Sequence, residues 1–166
     1  MNQNIMMVVE KVTFHYNEVE DRICMSANVV GGEKVVFWFT QRLSRRIADA
    51  LCTYCENSRR NSSVVDKPMM LSCQQREAEW ANKSPEPVRL EEGPSRSFFP
   101  VTVDLSFTPE QVQMRIPLQN GEVAAMPFTH SELRQWLSIL YKTFQIAEWS
   151  TESWPAWLKP DGPANN

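Results

Sequence analysis

The chain has 166 residues, 42% hydrophobic and 22% charged, a balance that excludes wholesale disorder and implies a single soluble domain over residues 1–166 with its own core. Seventeen Lys and Arg against twenty Asp and Glu leave a net charge of −3, so no global positive field attracts nucleic acid or anionic lipid. No run approaches the roughly 18 consecutive apolar residues that span a bilayer, and residues 1–7 have neither the basic opening nor the apolar run of a secretion signal. A cytoplasmic location without membrane contact is the expectation, in keeping with four cysteines, too few for a disulfide scaffold.

From Val8 to Thr40 the pattern has period two. Val12, Phe14 and Tyr16, then Ile23, Met25, Ala27 and Val29, then Val35, Phe37 and Phe39 predict a three-stranded antiparallel meander. Gly31-Gly32 supplies the positive φ of a tight hairpin, and Asn17–Asp21 is polar enough to turn. The third strand is apolar on both faces, which places it centrally or under cover on both sides. Thr40 is a candidate N-cap for a helix of about four turns carrying Leu43, Ile47, Ala50, Leu51 and Tyr54. Between Asn57 and Ser97, Ser, Arg, Asn, Pro and Glu dominate. Pro68–Ala81 predicts a short helix there, and Lys83–Ser97 predicts a loop.

The same grammar then returns. Moved along by 89 positions without a gap, residues 12–40 lie on residues 101–129. Val12, Thr13, Met25, Gly32, Glu33, Phe39 and Thr40 meet identical residues at Val101, Thr102, Met114, Gly121, Glu122, Phe128 and Thr129. The apolar alternation is preserved as well, with Phe14 on Val103, Tyr16 on Leu105, Ile23 on Val112 and Phe37 on Met126. Asn120-Gly121 is a strong hairpin signal, and Thr129-His130-Ser131-Glu132 predicts a capping box opening a helix with Leu133, Trp136, Leu137, Leu140 and Phe144 inward. Pro117 and Pro127 cannot donate to a ladder, which predicts edges or bulges at those strands.

The predicted fold is therefore α+β: two internally duplicated βββα units, residues 8–57 and 98–147, with six main strands and a pseudo-twofold relation. Residues 58–97 join them, and residues 148–166 form a Trp-rich tail. One six-stranded sheet, two packed sheets and a barrel are all compatible with this order.

Several residues carry candidate chemistry. Cys52-Thr53-Tyr54-Cys55 has redox spacing, but it falls late in its helix, where the dipole opposes a thiolate. Packing is the plainer role of these two. Cys52, Cys55 and Cys73 could alternatively supply three thiolates to zinc, with Cys24, His15 or His130 completing the set. Arg42, Arg45 and Arg46 concentrate positive charge near Trp38, a pattern suited to nucleic acid, while Asp49 and Glu56 stand at spacings suited to neutralising them. Trp154, Trp157 and Leu158, with Trp38, are candidates for partner binding, because exposed indoles are enriched among binding hot spots.

No phosphate-cradling glycine loop or nucleophile elbow occurs. The reading that follows is a non-catalytic protein-binding or assembly module without a cofactor, engaging a protein partner or a second copy as a homodimer. The zinc site and the arginine-rich nucleic-acid face stand as alternatives. The overall acidity weighs against nucleic acid.

Overall fold

The structure is a computed structural model, and it describes residues 6–57, 67–82, 87–90 and 93–160. Its elements are β1 (Met6–Asn17), β2 (Arg22–Val29), β3 (Lys34–Phe39), α1 (Gln41–Asn57), α2 (Lys67–Ala81), β4 (Arg96–Phe98), β5 (Asp104–Phe107), β6 (Gln111–Pro117), β7 (Val123–Thr129) and α3 (His130–Ile146). Both expected meander-plus-helix runs are present, and α2 covers the stretch where a short helix was predicted. Six strands become seven, because Arg96–Phe98, of which Arg96 and Ser97 were expected as loop, pairs with β3.

The strands form one mixed sheet in the order β4-β3-β2-β1-β7-β6-β5. Within each meander the pairing is antiparallel, but the meanders meet through parallel pairs. Met6–Val8 of β1 lies beside Val123–Ala125 of β7, and β4 lies beside Val35–Phe37 of β3. Only residues 99–103 separate the two outer strands, β4 and β5. A link that short reaches about 20 Å at most, so the sheet curls until its edges approach.

The 89-residue offset holds for much of the pairing. Ile23↔Phe39 and Ala27↔Val35 in the first hairpin correspond to Val112↔Phe128 and Ile116↔Ala124 in the second. The parallel pair Met7↔Ala124 corresponds to Arg96↔Val35. One strand departs from it. Met25 faces Phe14, whereas Met114 faces Leu105, two residues beyond Val103, the position the ungapped alignment gives. The turn before β6 is accordingly two residues shorter, and the stretch between β4 and β5 two residues longer, than their counterparts around β1. An even slip keeps every side chain on its own face, so the apolar alternation survives. β1 absorbs its irregularity as a bulge between Val9 and Lys11, while the longer stretch breaks its counterpart into β4 and β5.

A single apolar core joins both meanders, all three helices and the tail. On β6, Val112, Met114 and Ile116 are fully buried and alternate with exposed or partly buried neighbours, the alternation of a half-covered strand. β3 is apolar on both faces, with Val35, Val36, Phe37 and Phe39 buried, in agreement with its inner position. Leu43 N–H donates to Thr40 Oγ1 at 3.1 Å, which makes Thr40 the cap of α1, and Thr129 with Glu132 forms the full capping box of α3. On α1 it is Ala48 that is buried and Ala50 that faces out. Pro117 ends β6, and Pro127 lies past Ala125, the last residue of β7 paired with β1.

Candidate functional site

The most distinctive surface feature arises where the offset fails. Parallel pairing of β3 with β4 stops at Phe37↔Phe98, and residues 99–103 then swing away from β3 to reach β5. The space left beside the first turn of α1 is a cavity of about 400 Å³ lined by Arg22, Thr40, Arg42, Leu43, Arg46 and Phe99–Thr102. Arg42 and Arg46 stand four residues apart, so one helix face presents both. Arg22 comes from the start of β2, with its guanidinium 5.8 Å from the Phe99 ring centroid. Trp38 stacks on the same ring at 6.5 Å and 13°.

Among the described residues no carboxylate lines this cavity. Among the described residues the ion pairs are Arg76–Glu79, Arg96–Glu33 and Arg96–Glu122, so Arg22, Arg42 and Arg46 belong to none. The expected neutralisation by Asp49 and Glu56 does not occur there: Asp49 lies elsewhere on α1, and Glu56 accepts the Trp157 indole N–H at 3.0 Å. Three unneutralised cations around one concavity, with the N–H groups of a helix N-terminus beside them, create a local field that attracts anions. Phe99 is 49% exposed and Val101 76% exposed, giving the rim an apolar edge.

Arg45 points away from this site, with its guanidinium 5.4 Å from the Phe144 ring centroid and one nitrogen 3.4 Å from Ser153 Oγ. The sequence cluster of three arginines therefore divides, and Arg22 takes the third place in the cleft. Arg22 and Phe99 are not apparent as site residues in the sequence. Their nearest signal is Pro100, a poor strand residue immediately ahead of the segment that the ungapped alignment treats as strand.

The tail folds back on its own chain. Trp149, Trp154, Trp157 and Leu158 are all at least nine-tenths buried. Trp154 meets Phe144 and Tyr141 edge-on, the Arg134 guanidinium lies 5.5 Å from the Trp157 ring, and Arg76 donates to the Leu158 carbonyl at 2.6 Å. Trp154, Trp157 and Leu158 thus hold the chain's own helices together and present no indole anchor. Of that set, Trp38 alone is not buried but partly exposed, and it supports the cationic cleft.

The cysteines are not brought together as ligands. Cys52 and Cys55 are buried in α1 and Cys73 is exposed on α2, and among the described residues no group of three His, Cys, Asp or Glu could hold a metal ion. Burial pushes both the Cys52 and Cys55 thiols up, which disfavours the thiolate that zinc or redox chemistry requires. His130 stacks on Tyr54 with a ring nitrogen 3.0 Å from the Pro109 carbonyl, a structural setting, and His15 is exposed on β1. Among the described residues no helix is long and apolar enough to cross a membrane. Comparison with protein-family models, with curated proteins and with solved structures returned no match.

Proposed function

We propose that this chain is a non-catalytic binding module, built from two duplicated βββα halves in a pseudo-twofold arrangement, that grips an acidic segment of a partner protein in the cleft beside α1. The observation carrying this reading is the set of Arg22, Arg42 and Arg46 around one cavity that, among the described residues, has no carboxylate in its lining. Guanidiniums bind carboxylates through paired, charge-assisted hydrogen bonds. The registers that recur at the 89-residue offset support the duplication. Single-stranded nucleic acid is the weaker reading, because Phe99, the ring a base would stack on, is already engaged by Trp38 and Arg22.

Fluorescence polarisation with a labelled polyglutamate and a labelled oligothymidylate tests this. The wild type should bind the peptide at low salt. The double variant Arg42→Ser with Arg46→Gln, which installs the residues found 89 positions further on, should weaken that binding at least about tenfold, the loss of one charge-assisted contact. Tighter binding of the oligonucleotide, with a steep salt dependence, would favour nucleic acid. Binding of neither probe would remove the cleft as the functional site.

A further inference from the structure

The cationic cleft lies beside an acidic projection of the same chain. Arg22, in the cleft lining, directly follows the β1–β2 turn, Glu18–Asp21. Two residues of chain reach about 7 Å at most, so Glu20 stands next to the cleft. Hydrogen bonds fix the shape of this turn. Asn17 Oδ1 accepts the Glu20 N–H at 2.9 Å, and Asp21 accepts the Tyr16 hydroxyl and the Trp149 indole N–H. What the turn projects is Glu18, Val19 and Glu20, all exposed, with Val19 at 94%. Neither glutamate belongs to an ion pair among the described residues.

Two unneutralised carboxylates flanking an apolar tip complement a concavity that offers guanidiniums and an apolar rim. The cleft of Arg22, Arg42 and Arg46, edged by Phe99 and Val101, is such a concavity. In its own chain the turn stays outside, since none of residues 18–21 lines the cleft. A projection and a matching concavity side by side on one surface are complementary to a second copy related by a twofold rotation, which sets each turn against the other copy's cleft and makes the contact twice.

The second half lacks both features. Its corresponding turn, Thr108–Glu110, carries one carboxylate. The 89-residue counterpart of the cleft is a cavity of about 230 Å³ between β1, β7 and α3, with Glu10 where the cleft has Phe99, Glu132 where it has Leu43 and Gln135 where it has Arg46. Carboxylates there repel an acidic turn. With one acidic turn and one cationic cleft in each chain, the twofold pair uses both and leaves neither for a third copy.

We infer that the acidic segment is the chain's own: the protein forms a twofold homodimer in which Glu18, Val19 and Glu20 of each copy seat in the Arg22, Arg42 and Arg46 cleft of the other. This rests on the acidic-segment reading of the cleft and names the partner as a second copy.

Sedimentation velocity of the full chain at tens of micromolar tests it. In low salt the chain should sediment as a dimer, and it should dissociate as salt screens the charge pairs. Glu18→Arg with Glu20→Arg, and separately Arg42→Glu with Arg46→Glu, should each sediment as a monomer, because each sets like charges together at both contacts. Mixed in equal amounts, the two variants should recover the dimer, since the basic turn of one then meets the acidic cleft of the other and the remaining contact is native. Such recovery also shows that both variants fold. Val19→Ser should weaken the dimer about tenfold, the loss of an apolar tip, and polyglutamate, competing for the cleft, should dissociate it. A chain that stays monomeric in low salt yet binds polyglutamate would overturn the homodimer and leave the acidic-segment reading standing; one that does neither would remove both. A dimer that persists in Arg42→Glu with Arg46→Glu, or a mixture of the two variants that stays monomeric, would also overturn it.

Discussion

The two clefts occupy corresponding places in the fold and share almost no side-chain chemistry. Each opens where a first strand parts from a last strand beside the opening turns of a helix, so the backbone supplies the same concavity twice. At the cationic cleft the departing chain is two residues longer and breaks into β4 and β5, throwing Phe99 and Val101 outward. At the other, β1 continues through a bulge and the wall stays compact. Backbone register thus determines where the openings fall, and a two-residue difference in one connection determines how much room and exposure each receives.

If the clefts are two decorations of one frame, damage to the frame should affect both at once. The largest such effect is expected from Trp154→Ala, which removes a ring packed against Tyr141 and Phe144 of α3. About 3–5 kcal/mol of stability should be lost, read as a lower denaturant midpoint, with polyglutamate binding in the cationic cleft falling alongside. A variant of unchanged stability would mean that the tail is an accessory to the frame.

A smaller effect is expected at Arg96, whose guanidinium lies 2.6 Å from both Glu33 and Glu122, two residues themselves 89 apart. Arg96→Met leaves the two carboxylates facing each other without a cation. The site is partly exposed, so solvent screening limits the loss to about 1 kcal/mol. Arg96 holds the Glu33 carboxyl below its ordinary range. A depressed carboxyl contributes stability above its unfolded pKa and loses it as pH falls through the folded value, so the deficit of the variant should shrink on acidification. A deficit independent of pH would point to packing of the Arg96 stem on Phe98 instead.

The finest distinction concerns the longer first turn. Asp21, at a φ of 52°, accepts the Tyr16 hydroxyl at 2.5 Å and the Trp149 indole N–H at 3.0 Å. The Tyr16 phenol is pushed up to about 12, first by that hydrogen bond, and the Asp21 carboxyl is lowered. Tyr16 contributes stability that is complete below its unfolded pKa near 10 and lost as pH rises through about 12. Asp21 contributes above the usual carboxylate range and loses its share in acid. In Asp21→Asn the acid dependence should disappear and the alkaline one should shrink, and alkaline absorbance titration should find the Tyr16 phenol ionising earlier. An unchanged titration would sever the turn from the tail.

Much of the frame could be read from the sequence because its signals are local. Gly31-Gly32 and Asn120-Gly121 mark the two hairpins, and Thr129 with Glu132 marks the start of α3. The parallel junctions could not be read in this way. Three residues of β4 give no periodicity, and what holds them is pairing with β3 residues 61 positions earlier. Val101 and Thr102, identical to Val12 and Thr13, actively mislead: they suggest continuous strand where the extra residues break it. The candidate site was half legible for the same reason. Arg42 and Arg46 share a face by helical spacing alone, whereas Arg22 and Phe99 join them only through sheet curvature.

The parallel junctions also make the halves inseparable. Residues 6–8 extend the second meander, and residues 96–98 extend the first, so each half wears three residues of the other as a clasp. Either half freed by a break ahead of residue 96 would keep its meander and show a bare strand edge, an invitation to stray pairing. Residence on one polypeptide keeps the matching clasp within reach at millimolar effective concentration, ahead of any stranger in solution.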